Sequence, residues 1–182
     1  MSPDPPTPVA GAVTIQRATM ADAATLAEFG ARTFHDTFAA DNRPDDMAAH
    51  LASAFGLPQQ TAELTDPDYV TIFAMIEGTL AGFAQVRRKE APACVDGPLP
   101  FELHRFYVDR PWHGKGVAAP LMASCADVIR ELGGRTVWLS VWEHNARGRA
   151  FYAKCGFRQT GTTEFWLGPD CQTDHVLERA LS

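Results

Sequence analysis

Two spacings of apolar residues alternate along the chain, and their order predicts its elements. Val13–Arg17 reads as a short strand. Residues 22–39 carry Ala23, Leu26, Ala27, Phe34 and Phe38 at intervals that put one apolar face on a helix. Residues 45–55 and 59–64 read as shorter helices. Tyr69–Ile76 and residues 80–86 are β-branched and apolar runs joined by Glu77-Gly78, a hairpin signal. Residues 89–100, with Pro92, Gly97, Pro98 and Pro100, predict a loop. Residues 101–108 return to strand composition. Helical spacing then resumes at Val117, Leu121, Met122, Cys125, Val128, Ile129 and Leu132. Thr136–Trp142 reads as a strand, and Ala146–Lys154 as a short helix that Gly156 ends. Residues 157–167 and 175–181 supply two last strands. This order predicts an α/β fold, with helices on a largely antiparallel mixed sheet.

The junction after Val108 carries the first chemistry. A strand ends, a glycine-rich turn follows (His113-Gly114-Lys115-Gly116), and a helix opens at once. Backbone N–H groups left free at a helix start, with the positive end of the helix dipole, suit phosphate or pyrophosphate. Pro120 requires the helix to begin near Gly116, because proline is tolerated only in a first turn. The Walker spacing is absent. Ala119 permits a weak dinucleotide-type match, but no acidic residue closes a following parallel strand. By itself the segment also fits an ordinary tight strand-to-helix turn.

Composition narrows the class. With 182 residues, 46% hydrophobic and 21% charged, the chain suits one globular domain over residues 13–182. Residues 1–12 hold four prolines and no basic residue, and predict a disordered tail rather than a signal peptide. No apolar run is long enough to span a bilayer, so no membrane partner is expected. Cys94, Cys125, Cys155 and Cys171 show neither metal-ligand spacing nor a close pair, which points to reduced thiols in a cytoplasmic protein with no metal. A net charge of −6 and a pI near 5.4 argue against a nucleic-acid partner.

Taken together, these segments resemble the GNAT superfamily of N-acetyltransferases. The phosphate-loop frame of that superfamily, Arg/Gln-x-x-Gly-x-Gly/Ala, stands here as His113-Gly114-Lys115-Gly116-Val117-Ala118. Its second signature, Asn followed seven residues later by Tyr and then Gly-Phe, stands as Asn145, Tyr152, Gly156 and Phe157. His113 departs from the usual Arg or Gln. A finer resemblance is to the bacterial spermidine/spermine N-acetyltransferases. It is carried by residues 33–38 with Asn42 and Pro44, by residues 138–145, and by Gln172-Thr173-Asp174 before the final strand.

The resemblance implies the acetyltransferase fold, with fourth and fifth strands splayed around acetyl-CoA. By this count they are residues 101–108 and Thr136–Trp142. Backbone groups of Phe106 and Val108 would hold the pantetheine arm. His113, Gly114, Lys115, Gly116, Val117 and Ala118 would surround the pyrophosphate, with Lys115 either adding charge or simply solvated. Asn145 would cap the following helix, hydrogen-bond the pantetheine amide, or do both. Tyr152 would protonate the leaving thiolate, the alternative being a packed core tyrosine. Strand alternation places Glu102, His104, Phe106 and Val108 on one face. Glu102 would then relay the amine proton through water, bind the cationic acceptor, or be merely solvated. His104 reads as a packed or lining histidine. Phe34, Asp36, Phe38, Trp142 and Phe165 are candidates for the acceptor pocket, since aromatic faces and a carboxylate suit a cationic amine.

The implied activity is direct acetyl transfer in a ternary complex to a small amine, with polyamines first. The alternatives are a protein N-terminus or another metabolite amine, or a non-catalytic acyl-CoA sensor. A homodimer is possible.

Overall fold

The computed structural model describes residues 11–182, so the tail expected over residues 1–12 lies almost wholly outside the described residues. A seven-stranded sheet organises the chain. Its strands are β1 (Val13–Arg17), β2 (Tyr69–Ile76), β3 (Thr79–Arg87), β4 (Pro100–Val108), β5 (Thr136–Trp142), β6 (Arg158–Leu167) and β7 (Asp170–Ala180). They lie in the order β1-β2-β3-β4-β5-β7-β6. Every neighbouring pair is antiparallel except β4 with β5. Between β1 and β2 stand three helices, α1 (Ala23–Phe38), α2 (Pro44–Ala54) and α3 (Leu57–Thr65). The helix α4 (Ala118–Glu131) links β4 to β5, and α5 (Ala146–Lys154) links β5 to β6. Pro120 is the third residue of α4, within the first turn that tolerates it. The β2–β3 hairpin turns on Glu77 and Gly78, both at positive φ, as a tight turn matched to strand twist requires.

The sheet is covered on both faces. One face packs under α4, where Leu121, Met122, Cys125 and Ile129 meet Ile72, Val86, Phe101, Leu103, Val137 and Leu139. The other lies under α1 to α3, where Leu26, Phe29, Phe34, Met47 and Phe55 meet Phe73, Phe83 and Leu167. A buried polar cluster ties α3 to this second face. Arg105 on β4 pairs with Glu63 on α3 and with Gln85 on β3, donates to the Ala54 carbonyl at 2.9 Å, and lies over the Phe55 ring. Among the described residues no helix is long and apolar enough to cross a membrane.

The final strand departs from the sequence reading. Gln172, Thr173 and Asp174 do not precede it but lie within β7, and Asp174 sits between Trp142 on β5 and Thr163 on β6. The turn falls earlier, at Gly168-Pro169, where Gly168 has φ of 61°. The alternation of polar residues there belongs to a strand whose polar side borders a cavity, and it resembles loop composition in sequence alone.

Candidate active site

The site begins where β4 and β5 part. They pair in parallel only from Pro100 with Thr136 to Glu102 with Trp138. Beyond that the edges diverge, and backbone polar groups on the open edge lack strand partners. Their direction follows from the other edge of β4. The Asp109 N–H donates to the Ala81 carbonyl at 2.8 Å, on the β3 side. Alternation then turns the N–H groups of Val108 and Phe106 toward the gap. An extended amide chain such as pantetheine fits there as an added strand.

The glycine loop lies at the end of that gap. Gly114 and Gly116 have φ of 73° and 81°, a backbone conformation that strains any residue with a Cβ. The first-turn N–H groups of α4 have no intrahelical partner, and no side chain caps them. Val117 is buried in the α4 core and anchors the turn. Two expected contributors are already engaged. The Lys115 N–H closes the turn on the Trp112 carbonyl at 3.2 Å, and its ammonium rests over the Trp112 ring. The His113 Nε2 donates to the Val108 carbonyl at 2.6 Å, while Nδ1 accepts from Arg147. That tautomer is assigned from the two partners. The His113 side chain is thus bound inward, and Arg147 brings the neighbouring cation.

Asn145 and Tyr152 come from the β5–α5 segment. Asn145 caps α5, its Oδ1 accepting from the Gly148 N–H at 2.9 Å, and the residue also lines the cavity. Gly148 is needed for this close cap, since a Cβ there would stand 2.8 Å from the Asn145 amide nitrogen. Tyr152 packs edge-on against Phe106 and Phe157 and borders the same cavity. Burial pushes its phenol pKa up, and Tyr107, Cys125 and Cys155 add to the shift. The phenol therefore stays protonated near neutral pH and can serve as a proton donor.

Glu102 is placed differently from expectation. On β3, Val86 faces Leu103 and the next residue, Gln85, faces Arg105, so His104 is an extra residue in β4. This bulge breaks the alternation. Phe101 and Leu103 pack on the α4 side, and so do Phe106 and Val108. Glu102 therefore does not share a face with Phe106 and Val108. Its side chain is ion-paired with Arg87 and approached by Lys89 and His104, each at 3.9 Å. Burial works to raise its pKa, but His104 and Arg87 overcome it and hold the carboxylate at about 2. A carboxylate held this low is a weak proton acceptor near neutral pH. His104 lines the cavity, and burial lowers its pKa despite the nearby Glu102.

A cavity of about 720 Å³ opens from the gap toward α1 and α2. Phe34, Phe38, Trp142 and Phe165 all border it. Phe38 meets Trp142 edge-on at 6.3 Å, and His50 links Phe34 to Phe165. Asp36 is not in this wall. It lies on the exposed side of α1 beside His35, because its position on the helix turns it away from Phe34 and Phe38.

Among the wall residues that escaped the sequence reading, Tyr107, His50 and Asp174 bear on the chemistry. Tyr107 stacks on Phe83, and burial pushes its pKa up to about 12. Burial, then Arg105, lowers the pKa of His50. Asp174 is 7% exposed, and its Oδ1 has no hydrogen-bond partner. The polar run at residues 172–174 was the available signal for Asp174, but its depth depends on β7 being inserted between β5 and β6.

Residues 32–157 match the model of the Acetyltransferase (GNAT) family. An uncharacterized N-acetyltransferase of Lactobacillus delbrueckii subsp. lactis is 32% identical over 82% of this chain and 86% of its own length. Aminoglycoside N(6')-acetyltransferase type 1 of Stenotrophomonas maltophilia is 28% identical over 88% of this chain and 96% of its own. In fold, the chain is similar to the PaiA N-acetyltransferase of Thermoplasma acidophilum, solved with coenzyme A. That likeness has a TM-score of 0.73 at 18% identity and covers 93% of this chain and 99% of the other. The open β4–β5 edge, the uncapped glycine loop and the family match agree, and the chain belongs to the acetyltransferase (GNAT) family as an N-acetyltransferase with acetyl-CoA as its co-substrate.

Proposed function

We propose that this enzyme acetylates a small, multiply charged primary amine, a polyamine such as spermidine first, by direct attack in a ternary complex. The observation that carries the reading is the aromatic cavity of Phe34, Phe38, Trp142 and Phe165, which opens onto the β4–β5 gap beside Tyr152. Aromatic faces attract the charged amine groups of such an acceptor, while exclusion of water favours the neutral form of the one amine that attacks. Acetyl-CoA would lie with its pyrophosphate on the loop of Gly114, Gly116, Val117 and Ala118 and its pantetheine along Phe106 and Val108. The amine nitrogen bonds to the thioester carbon, the carbon–sulfur bond breaks, and Tyr152 protonates the departing thiolate. The amine proton leaves to solvent, and solvent returns a proton to Tyr152. Cys155 has no base beside it, and burial raises its thiol pKa, which weighs against an acyl-cysteine intermediate.

An aminoglycoside is a second reading, favoured by the Stenotrophomonas relative. It too carries several ammonium groups. The test is kcat/KM across spermidine, spermine, an aminoglycoside, a monoamine and N-terminal peptides. Spermidine or spermine should lead. Preference for the aminoglycoside would move the assignment to the second reading, and preference for peptides would remove both.

A further inference from the structure

Among the described residues, the buried side-chain polar atoms without a hydrogen-bond partner are Gln60 Oε1, Trp138 Nε1, Asp174 Oδ1 and His175 Nδ1. Trp138 and Asp174 line the cavity, and of these two only Asp174 can carry a charge. The other ionisable groups of the wall are occupied, neutral or on the exposed rim. Glu102 is taken by Arg87, and Lys89 lies beside that pair. Arg105 is taken by Glu63 and Gln85. Burial moves His50 and His104 toward the neutral form and keeps Tyr107 protonated. Glu164 and Glu90 stand on the exposed rim, where water serves them.

A buried carboxylate with a free oxygen is costly unless a partner arrives. Asp174 lines a space framed by Trp142, Phe38 and Phe165, a frame that suits a cation. We propose that Asp174 is the acceptor-binding carboxylate, pairing with an ammonium group of the amine and setting the preference for cationic acceptors. Burial raises the Asp174 pKa and the Ser140 hydroxyl opposes the rise, as fits an anion that lacks its counter-ion before the acceptor binds. The assignment rests on the cationic-amine reading but names the residue responsible.

The experiment compares the parent with Asp174→Asn and Asp174→Glu on whichever panel amine the parent acetylates best, with acetyl-CoA affinity measured by calorimetry. Truncating one side of a desolvated charge pair predicts that Asp174→Asn raises the acceptor KM by about 30- to 1000-fold. Acetyl-CoA affinity should hold, and Asp174→Glu should recover part of the loss. The melting temperature of Asp174→Asn should not fall, because the variant removes an unpaired buried charge. A folded Asp174→Asn with the parent's acceptor KM would overturn the assignment. Should Asp174→Asn not fold, Asp174→Ser decides, since it also removes the charge and an unchanged KM there overturns the assignment as well. If a peptide proves the best acceptor, the polyamine reading falls while the Asp174 test proceeds on the peptide's ammonium group. If the parent acetylates no amine, the acceptor class falls and this assignment with it.

Discussion

Tyr152 and Glu102 are both ionisable residues bordering one cavity, and their surroundings push their pKa values in opposite directions. The Tyr152 phenol is packed among Phe106, Phe151 and Phe157, and no group among the described residues hydrogen-bonds it. It is held protonated and faces open space. Tyr152→Phe keeps the ring packing and removes only the proton. A kcat lower by about ten- to a thousandfold is expected, with acetyl-CoA affinity and melting temperature nearly unchanged, since general acid catalysis typically contributes on the order of 10²–10⁴. Single-turnover rates would check it.

Glu102 is an ion-pair partner. Its folded pKa of about 2 lies below the ordinary value near 4.5, so it stabilises the fold above pH ~4.5 and that contribution is lost as pH falls through about 2. Glu102→Gln leaves Arg87 buried without its anion, and a loss of about 3 kcal/mol at neutral pH is expected. Denaturant titrations at neutral pH and near pH 3 should show the difference shrinking in acid. The neutral limb of the rate–pH profile should not move. A shifted limb would return Glu102 to a proton-transfer role.

At the level of elements, the sequence was most legible where one signal governs one element. The spacing of Leu121, Met122, Cys125 and Ile129 named α4, and Glu77-Gly78 named the β2–β3 turn. Val13–Arg17, Tyr69–Ile76, Thr136–Trp142 and Ala146–Lys154 stand where the pattern put them. Legibility failed where an element's meaning depends on a neighbour. The bulge at His104 exists because β3 and β4 slip by one residue, and a period-two reading has no means of seeing it. The depth of Asp174 arises from β7 lying between β5 and β6. Asp36, one helical position from the wall, shows how far a motif match can stray from facing. The glycine loop depends mainly on local geometry. Gly116 sits at φ of 81°, so Gly116→Glu adds backbone strain and a negative charge where pyrophosphate is expected. Calorimetry should find acetyl-CoA binding abolished in a protein that still melts cooperatively. Unchanged affinity would remove the loop from the site.

Across the whole molecule, the sheet is two antiparallel halves joined by three residue pairs between β4 and β5. Helices close both faces, while the gap between the halves stays open from the glycine loop to the aromatic cavity. In the proposed ternary complex donor and acceptor would be present together, one in the gap and one in the cavity, with Tyr152 beside both. The most direct test varies acetyl-CoA and amine together and counts released thiol against acetylated amine. One acetylated amine per thiol, with intersecting initial-rate lines, is the result this arrangement predicts. Thiol release without acetylated amine, or parallel lines with a trapped acyl-enzyme, would contradict it.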